Sequence, residues 1–568
     1  MTKKHIPVLV VGLLIVLVAL AGGAVYGINK LIPSRKQMDL TEYYGQNADG
    51  EAALILGTEK LEEKALISGE DVYLPLDVVN GYLNQRYYWD SENKKILYAT
   101  PSSLTEEPAS DKADGNVWLK DDTVYLKLDY VKKYTDIDSY IEQDPARVAI
   151  QYKFTNVETV TTKKDTVIRY RGGIKAPILS KLAKNTVLRL MNEGEDWDQV
   201  ATDDGYIGYI QKKKVSAVDT TDYERDFKTE SYTYLTMDEP VNLAWHQVTS
   251  TDANSYFADA VQNMTGVNVI SPTWFSVTDN SGNISSLASG EYVMQAHEKG
   301  LKVWGLVDNF NENMSTTEVL SKTSSRQNLE NQLITYALKA GLDGINVDFE
   351  SLSEGVGIHF LQFLRELSIQ CHANNLVLSV DNPVPEDFTS HYDRAEQGVV
   401  ADYVIIMGYD EHFAGSYEAG SVASYNYVKE GIEETLRDVP ADKVINAVPF
   451  YTRLWNETPK TDEERAEDQG TEAESYSMKV TSEALGMEEA AQRVSEAGAT
   501  VTWDDTVKQN YAEWQGDNDS TYRIWLEDAS SLEVKLGLMK DNNLAGTAAW
   551  KLGFETSDIW DLIQKYVN

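Results

Sequence analysis

The sequence predicts a multidomain chain whose C-terminal part is a (β/α)8 TIM barrel with a small α+β insertion. Three observations predict it. Between residues 239 and 568, short apolar segments alternate with helix-like stretches eight times, the pattern of a parallel sheet closed by crossover helices. Upstream of residue 239 the pattern differs: short strands separated by Gly and Asp turns, which suit small β and α+β modules. The length of 568 residues exceeds one ordinary core, and a composition of 42% hydrophobic and 25% charged residues is globular.

The elements follow in order. Residues 6–28 form an uncharged, mostly apolar run behind Lys3 and Lys4. This is the length of a membrane-spanning helix and longer than a usual secretory h-region. The expectation is a transmembrane signal anchor in the cell membrane with the rest of the chain extracytoplasmic. The alternative is a signal peptide cleaved near Ala19-Leu20-Ala21, leaving a secreted protein. Residues 45–150 read as a small α+β module, with strands at 71–79, 87–90 and 95–98 and a hairpin at 117–126 that turns at Asp121-Asp122. Residues 161–218 read as a small β barrel, with strands at 166–170, 177–179, 187–190 and 205–210 and another at Trp197. A polar linker spans 220–237. The barrel strands are expected at 241–245, 267–271, 301–307, 344–349, 376–380, 403–407, 444–449 and 546–550. Between the last two, residues 455–543 leave room for the insertion, in which 500–503 and 522–526 are expected to pair.

Charge and cysteine content exclude several functions. Lys and Arg number 51 against 90 Asp and Glu, a net charge of −39, so nothing offsets phosphate repulsion and no nucleic-acid partner is expected. A single cysteine, Cys371, permits neither an intramolecular disulfide nor a Cys-based metal site. The histidines show no close ligand spacing, and no metal or cofactor is implied.

The fourth strand carries the chemistry. It reads Asp343-Gly-Ile-Asn-Val-Asp-Phe-Glu350. Side chains alternate along a strand, so Ile345, Val347 and Phe349 share one face and Asn346, Asp348 and Glu350 the other. In a barrel the apolar set faces the helices and the polar set points inward and up to the C-terminal rim. Burying carboxylates there costs several kcal/mol per ion unless they are paired or protonated. Like charges so close hold one of them protonated at neutral pH, as a general acid requires. In strand six, Met407 and Tyr409 point inward by the same alternation, ahead of Asp410 and His412.

Asp343-Gly-x-x-x-Asp348-x-Glu350 resembles the D-x-x-D-x-D-x-E signature of glycoside hydrolase family 18, with Asn346 where most of its chitinases have Asp. Met407-Gly-Tyr409-Asp410 resembles that family's Met-x-Tyr-Asp motif. Val448-Pro-Phe-Tyr-Thr-Arg-Leu-Trp455 and Ala548-Ala-Trp550 resemble its seventh and eighth strands. The run through Val422-Ala-Ser424, with Pro449-Phe-Tyr-Thr-Arg453, is most similar to the spore-type, cortical-fragment-lytic subgroup of peptidoglycan N-acetylglucosaminidases. Residues 45–150 loosely resemble a copper-amine-oxidase-like N-terminal module, without nameable copper ligands. Residues 161–218 resemble a bacterial SH3 domain, which in its family holds cell-wall peptide or acts as a spacer.

The resemblance implies a retaining, substrate-assisted mechanism in which the 2-acetamido group of the substrate attacks its own anomeric carbon. Glu350 would be the acid and then the base. Asp348 would hold the acetamido N–H, Tyr409 its oxygen, and Trp550 would floor the sugar. Asn346, Met407, Asp410, Tyr451 and Arg453 are further candidate substrate-binding residues; for Asp410 and Arg453 a sugar contact and a structural role stand side by side. Asn346 is expected to donate to and orient Asp348. The partner is then a glycan containing N-acetylglucosamine. Peptidoglycan is favoured by the export signal, the SH3-like module and the spore-type motifs. A chitinase and a catalytically weak glycan-binding wall protein are the alternatives. Asn309, Trp274 and His412 also fall where substrate could touch them or where they could simply pack.

Overall fold

The computed structural model describes residues 10–18, 20, 30–45 and 47–567. The described chain divides into two units, one comprising residues up to 89 with 94–96 and 106–229, the other 90–93, 97–105 and 230–568.

In the second unit the eight expected strands are all present: β1 (Val241–His246), β2 (Val269–Val277), β3 (Lys302–Asp308), β4 (Gly344–Asp348), β5 (Val377–Pro383), β6 (Tyr403–Met407), β7 (Val444–Pro449) and β8 (Gly546–Trp550). Each pairs in parallel with its chain neighbours, and β8 pairs with β1, which closes the barrel. Strands rich in Val, Ile and Ala are buried on both faces, as a parallel barrel requires. Small residues let neighbours approach: a Cβ on Gly408, between the two inward residues Met407 and Tyr409, would lie 2.9 Å from the Ala447 carbonyl oxygen.

The surrounding helices are fixed by their ends and by buried ion pairs. The helix Thr323–Ala340 stops at Gly341, which takes the left-handed conformation, a geometry glycine adopts without a Cβ penalty. Its Arg326 forms a two-bond fork with Glu366 (3.0 and 2.9 Å) on the next helix, Gly357–Ala373. Arg365 of that helix donates to Glu396 (2.8 Å) on the helix Arg394–Val400.

The insertion differs in detail from expectation. It begins at Tyr451, directly after β7, and forms a five-stranded antiparallel sheet in the order Met478–Gly486, Tyr451–Pro459, Thr521–Leu526, Gln509–Gln515, Thr502–Asp504. Residues 500–503 and 522–526 therefore do not pair with one another; Gln509–Gln515 lies between their strands. The helix Met487–Glu496 covers this sheet with Ala490 and Val494, which join Leu454, Leu485, Ala512 and Ile524 in a separate small core.

Upstream of residue 230 the described strands form a ten-stranded sheet and a seven-stranded sheet. In the former, Val117–Lys120 and Thr123–Lys127 pair as the expected hairpin, with Asp121 and Asp122 at positive φ in its turn. In the latter, strands occur at Thr166–Arg169, Ile178–Leu182, Val187–Asn192, Trp197–Ala201 and Ile207–Gln211, flanked by Val157–Thr161 and Asp219–Thr221.

One expectation is corrected here. Among the described residues no helix is long and apolar enough to cross a membrane, so the single-pass membrane placement is withdrawn. Of the apolar run 6–28, only 10–18 and 20 are described, and the remainder lies outside the described residues.

Candidate active site

Strand β4 presents its two faces as alternation dictates. Outward, Phe349 stacks on Phe363 of the helix behind it, with ring centroids 5.6 Å apart. Inward lie Asn346 and Asp348, and Glu350 follows just beyond the strand end. Asn309, at the end of β3, clasps the Glu350 backbone: Glu350 N–H donates to Asn309 Oδ1 (2.9 Å), and Asn309 Nδ2 donates to the Glu350 carbonyl (3.0 Å) and to Thr316 Oγ1 (2.9 Å). Glu350 is thus held at its backbone.

A cavity of about 340 Å³ opens at the C-terminal ends of the strands. Asp348, Glu350, Asp381, Tyr409, Asp410 and Tyr451 supply its polar wall, and Trp245, Trp550, Met407, Tyr427 and Phe310 much of its apolar wall. Trp245 and Trp550 lie with ring centroids 6.0 Å apart. Tyr451 donates its hydroxyl to Asp410 Oδ1. Asp348 Oδ1 is buried and makes no hydrogen bond within the protein.

Burial dominates the electrostatics. It pushes the Asp348 carboxyl well above the usual carboxylate range, and the charges of Asp381, Glu350 and Asp308 push it further. Asp308 and Asp348 are direct register partners across β3 and β4. Glu350 is raised first by burial, then by Asp410 and Asp308. Asp381 is raised by burial, against the opposing hydrogen bond from Asn346. In Asp410, too, burial raises the carboxyl, and the Tyr451 hydroxyl and the Arg453 charge oppose it. Burial and crowding thus both favour the protonated forms, the direction a general acid requires.

Of the sequence-predicted site residues, Glu350, Asp348, Tyr409, Met407, Asp410, Tyr451 and Trp550 meet in this one cavity. Asn346 does not line it. It is fully buried below, where its Nδ2 donates to Asp381 Oδ1 (2.8 Å) and Ser379 Oγ (3.0 Å). Its Oδ1 accepts from Trp245 Nε1 (2.9 Å) and Ser271 Oγ (3.2 Å). The expected donation to Asp348 is replaced by donation to Asp381, which lies on the neighbouring β5 two residues beyond Ser379, the register partner of Asn346. Arg453 lies outside the wall and donates to Ser482 Oγ (3.1 Å) in the insertion sheet. Trp274 is core, with Nε1 donating to Asn254 (2.9 Å). His412 bonds the Ser421 carbonyl (2.8 Å) and packs on Gly420. Asp343 sits at the opposite end of β4, bonded to His297, Lys302 and the Val303 amide.

An eight-stranded parallel barrel with a Glu–Asp pair at the end of its fourth strand, opening on a cavity lined by tryptophans, is a scaffold suited to sugar hydrolysis. Residues 205–555 match the model of Glycosyl hydrolases family 18, and the chain belongs to that family. It is similar to the uncharacterized glycosylase YvbX of Bacillus subtilis (strain 168), 26% identical over 313 residues that cover 53% of this chain and 85% of the relative. It is also similar to the cortical fragment-lytic enzyme of the same organism, 25% identical over 256 residues, or 44% of this chain and 56% of that protein's length. Its fold resembles that of the Bacillus cereus spore cortex-lytic enzyme SleL, with a TM-score of 0.50, 18% identity and coverage of 62% of this chain and 77% of the other. The chain is thus a family 18 glycoside hydrolase, related to cortex-lytic enzymes and chitinases.

Sequence reasoning missed Asp381, Asp308, Trp245, Tyr427 and Phe310. For the two carboxylates a signal existed. The expected third and fifth strands end at 307 and 380, one residue short of Asp308 and Asp381. Val377, Ser379 and Asp381 alternate on one face just as Asn346 and Asp348 do.

Proposed function

We propose that the enzyme cleaves β-1,4 bonds after N-acetylglucosamine in peptidoglycan by retaining, substrate-assisted catalysis. The observation that carries this reading is the buried, unbonded Asp348 Oδ1 next to Glu350 in a tryptophan-walled cavity. A buried acceptor without a donor is costly, and the N–H of a 2-acetamido group is a donor of the right kind. Glu350 protonates the glycosidic oxygen as the C1–O bond breaks, and the acetamido carbonyl oxygen closes on C1 to give an oxazolinium ion. Asp348 accepts the acetamido N–H and offsets the positive charge that develops, with Tyr409 donating to the acetamido oxygen. Water then attacks C1, Glu350 takes its proton, and configuration is retained. Asp410 is the competing protein nucleophile at the cavity wall, but one of its oxygens is held by Tyr451. Similarity to cortical fragment-lytic enzymes favours peptidoglycan over chitin. The β module of residues 161–218 is assigned the holding of wall material.

The test compares the full chain with Glu350→Gln on vegetative peptidoglycan, spore cortex and chitin oligosaccharides, reading products by mass spectrometry after borohydride reduction. Reduced N-acetylglucosamine ends from wall material, diminished about 10²–10⁴-fold in the variant, are the expected result. Products from chitin oligosaccharides alone make the enzyme a chitinase. No product from any substrate, with glycan still bound, makes it a binding protein.

A further inference from the structure

A second cavity, of about 560 Å³, lies wholly within the first unit. One wall comes from the strand Ala146–Gln151 of the ten-stranded sheet and its partner Asp138–Gln143, the other from strands of the seven-stranded sheet. Gln151 lines it, is 3% exposed, and has neither its Nε2 nor its Oε1 hydrogen-bonded. Leaving both a donor and an acceptor of one buried amide unsatisfied is expensive, so the side chain is built for something that enters the cavity.

The surroundings narrow the ligand. Most charged groups of the wall are engaged within the protein: Asp138 with Arg225 (2.6 Å), Arg189 with Asp203 (3.2 Å) and the Lys153 carbonyl (2.8 Å), and the Asp204 carboxylate with the Thr202 hydroxyl, while Lys181 is exposed. Around the buried Gln151 amide the wall also offers neutral groups: the hydroxyls of Ser139 and Ser180 and the ring of Tyr140. Tyr140 is 40% exposed, an available face at the mouth. An amide flanked by hydroxyls and aromatic faces suits an uncharged sugar that carries an N–H beside a hydroxyl, with ring C–H groups against the aromatics.

We propose that this cavity is a non-catalytic binding site for an N-acetylated amino sugar. Gln151 Oε1 accepts the acetamido N–H, Nε2 donates to the neighbouring ring hydroxyl oxygen, and Tyr140 covers the sugar face. A glycan held here is retained by the enzyme independently of the barrel cavity. The choice of probe rests on the family's use of N-acetylglucosamine glycans, but the site does not depend on the catalytic mechanism proposed above.

The experiment is calorimetric titration of the full-length Glu350→Gln protein with tetra-N-acetylchitotetraose, with the fully deacetylated tetramer, cellotetraose and the uncharged dipeptide N-acetyl-Ala-Ala-methylamide as further arms. Two sites for the acetylated tetramer are expected. Adding Gln151→Leu should abolish one of them, and Tyr140→Ala should weaken the same one about tenfold. The deacetylated tetramer and cellotetraose should fill neither second site. Gln151→Leu removes unsatisfied polar atoms, so its melting temperature should not fall, and Tyr140→Ala at the rim serves as an independent variant. On an active background, hydrolysis of the soluble tetramer should be unchanged by either substitution, which separates this site from the barrel. One site in the parent, two undiminished sites in both variants, or displacement of the second sugar by the dipeptide would each overturn the proposal.

Discussion

Asn346 donates its side-chain amide to Asp381 Oδ1 at 2.8 Å and so lies behind the catalytic pair, not beside the substrate. All four of its hydrogen bonds are internal, to Asp381, Ser379, Trp245 and Ser271. Its hydrogen bond to Asp381 favours that carboxyl's charged form against the larger effect of burial, and it supplies no proton of its own. An Asp at this position would add a carboxyl that can take up a proton otherwise bound by Asp348 or Asp381. The Asn346→Asp variant is therefore expected to hold its kcat/KM to lower pH than the parent. Coincident pH–rate profiles would show that the amide only packs.

The basic limb of the rate profile should report Glu350, which must be protonated to act as the acid. Burial raises its pKa and the neighbouring Asp410 charge raises it further. Asp410→Asn removes that second contribution, so the limb should move to lower pH. The measurement is kcat against pH for parent and variant. A limb that stays in place would assign the raised value to burial and the Asp308 charge.

Asp348 links the site to stability. Its folded pKa lies above the unfolded value of about 3.9, so the folded state binds the extra proton. The stability this provides is complete below the unfolded pKa and is lost as pH rises through the folded one. Asp348→Asn escapes that loss. Its melting temperature should exceed the parent's by a margin that grows between about pH 4 and pH 8, while activity falls about 10²–10³-fold through the missing charge stabilisation. A margin independent of pH would place the ionisation elsewhere.

Asn309 tests positioning. Its two bonds to the Glu350 peptide unit leave the carboxyl itself untouched. Asn309→Ala should lower kcat about tenfold with KM nearly constant, since small displacements of a catalytic group are costly. The pH limbs should not move. A rise in KM at constant kcat would instead make Asn309 a substrate contact.

The alternation of strand four places Asn346, Asp348 and Glu350 on the inward face from local sequence alone. A period of two in extended backbone leaves no other choice, and apolar partners such as Phe349 confirm the sense by packing on Phe360 and Phe363. Strand six was legible for the same reason. The limits of strands three and five were not. Extended backbone at Asp308 and at Asp381 to Pro383 is enforced by the neighbouring strands, where Asp381 pairs with Ile405 and Pro383 with Met407, and those partners are distant in sequence. The insertion shows the same limit, since the pairing of 500–503 depended on Gln509–Gln515, which carries no strong local signal.

Local pattern thus settled the barrel strands and placed Asp348 and Glu350 at the end of the fourth, because covalent alternation and turn chemistry act within a few residues. Strand pairing settled the rest. It brought Asp381 within reach of Asn346, set Trp245 beside Trp550, joined Tyr451 to Asp410, and surrounded Glu350 with carboxylates from other strands. Those side chains lie far apart in sequence and meet only when neighbouring strands pair, β8 with β1 in the case of the two tryptophans, and burial then shifts the carboxyls' protonation.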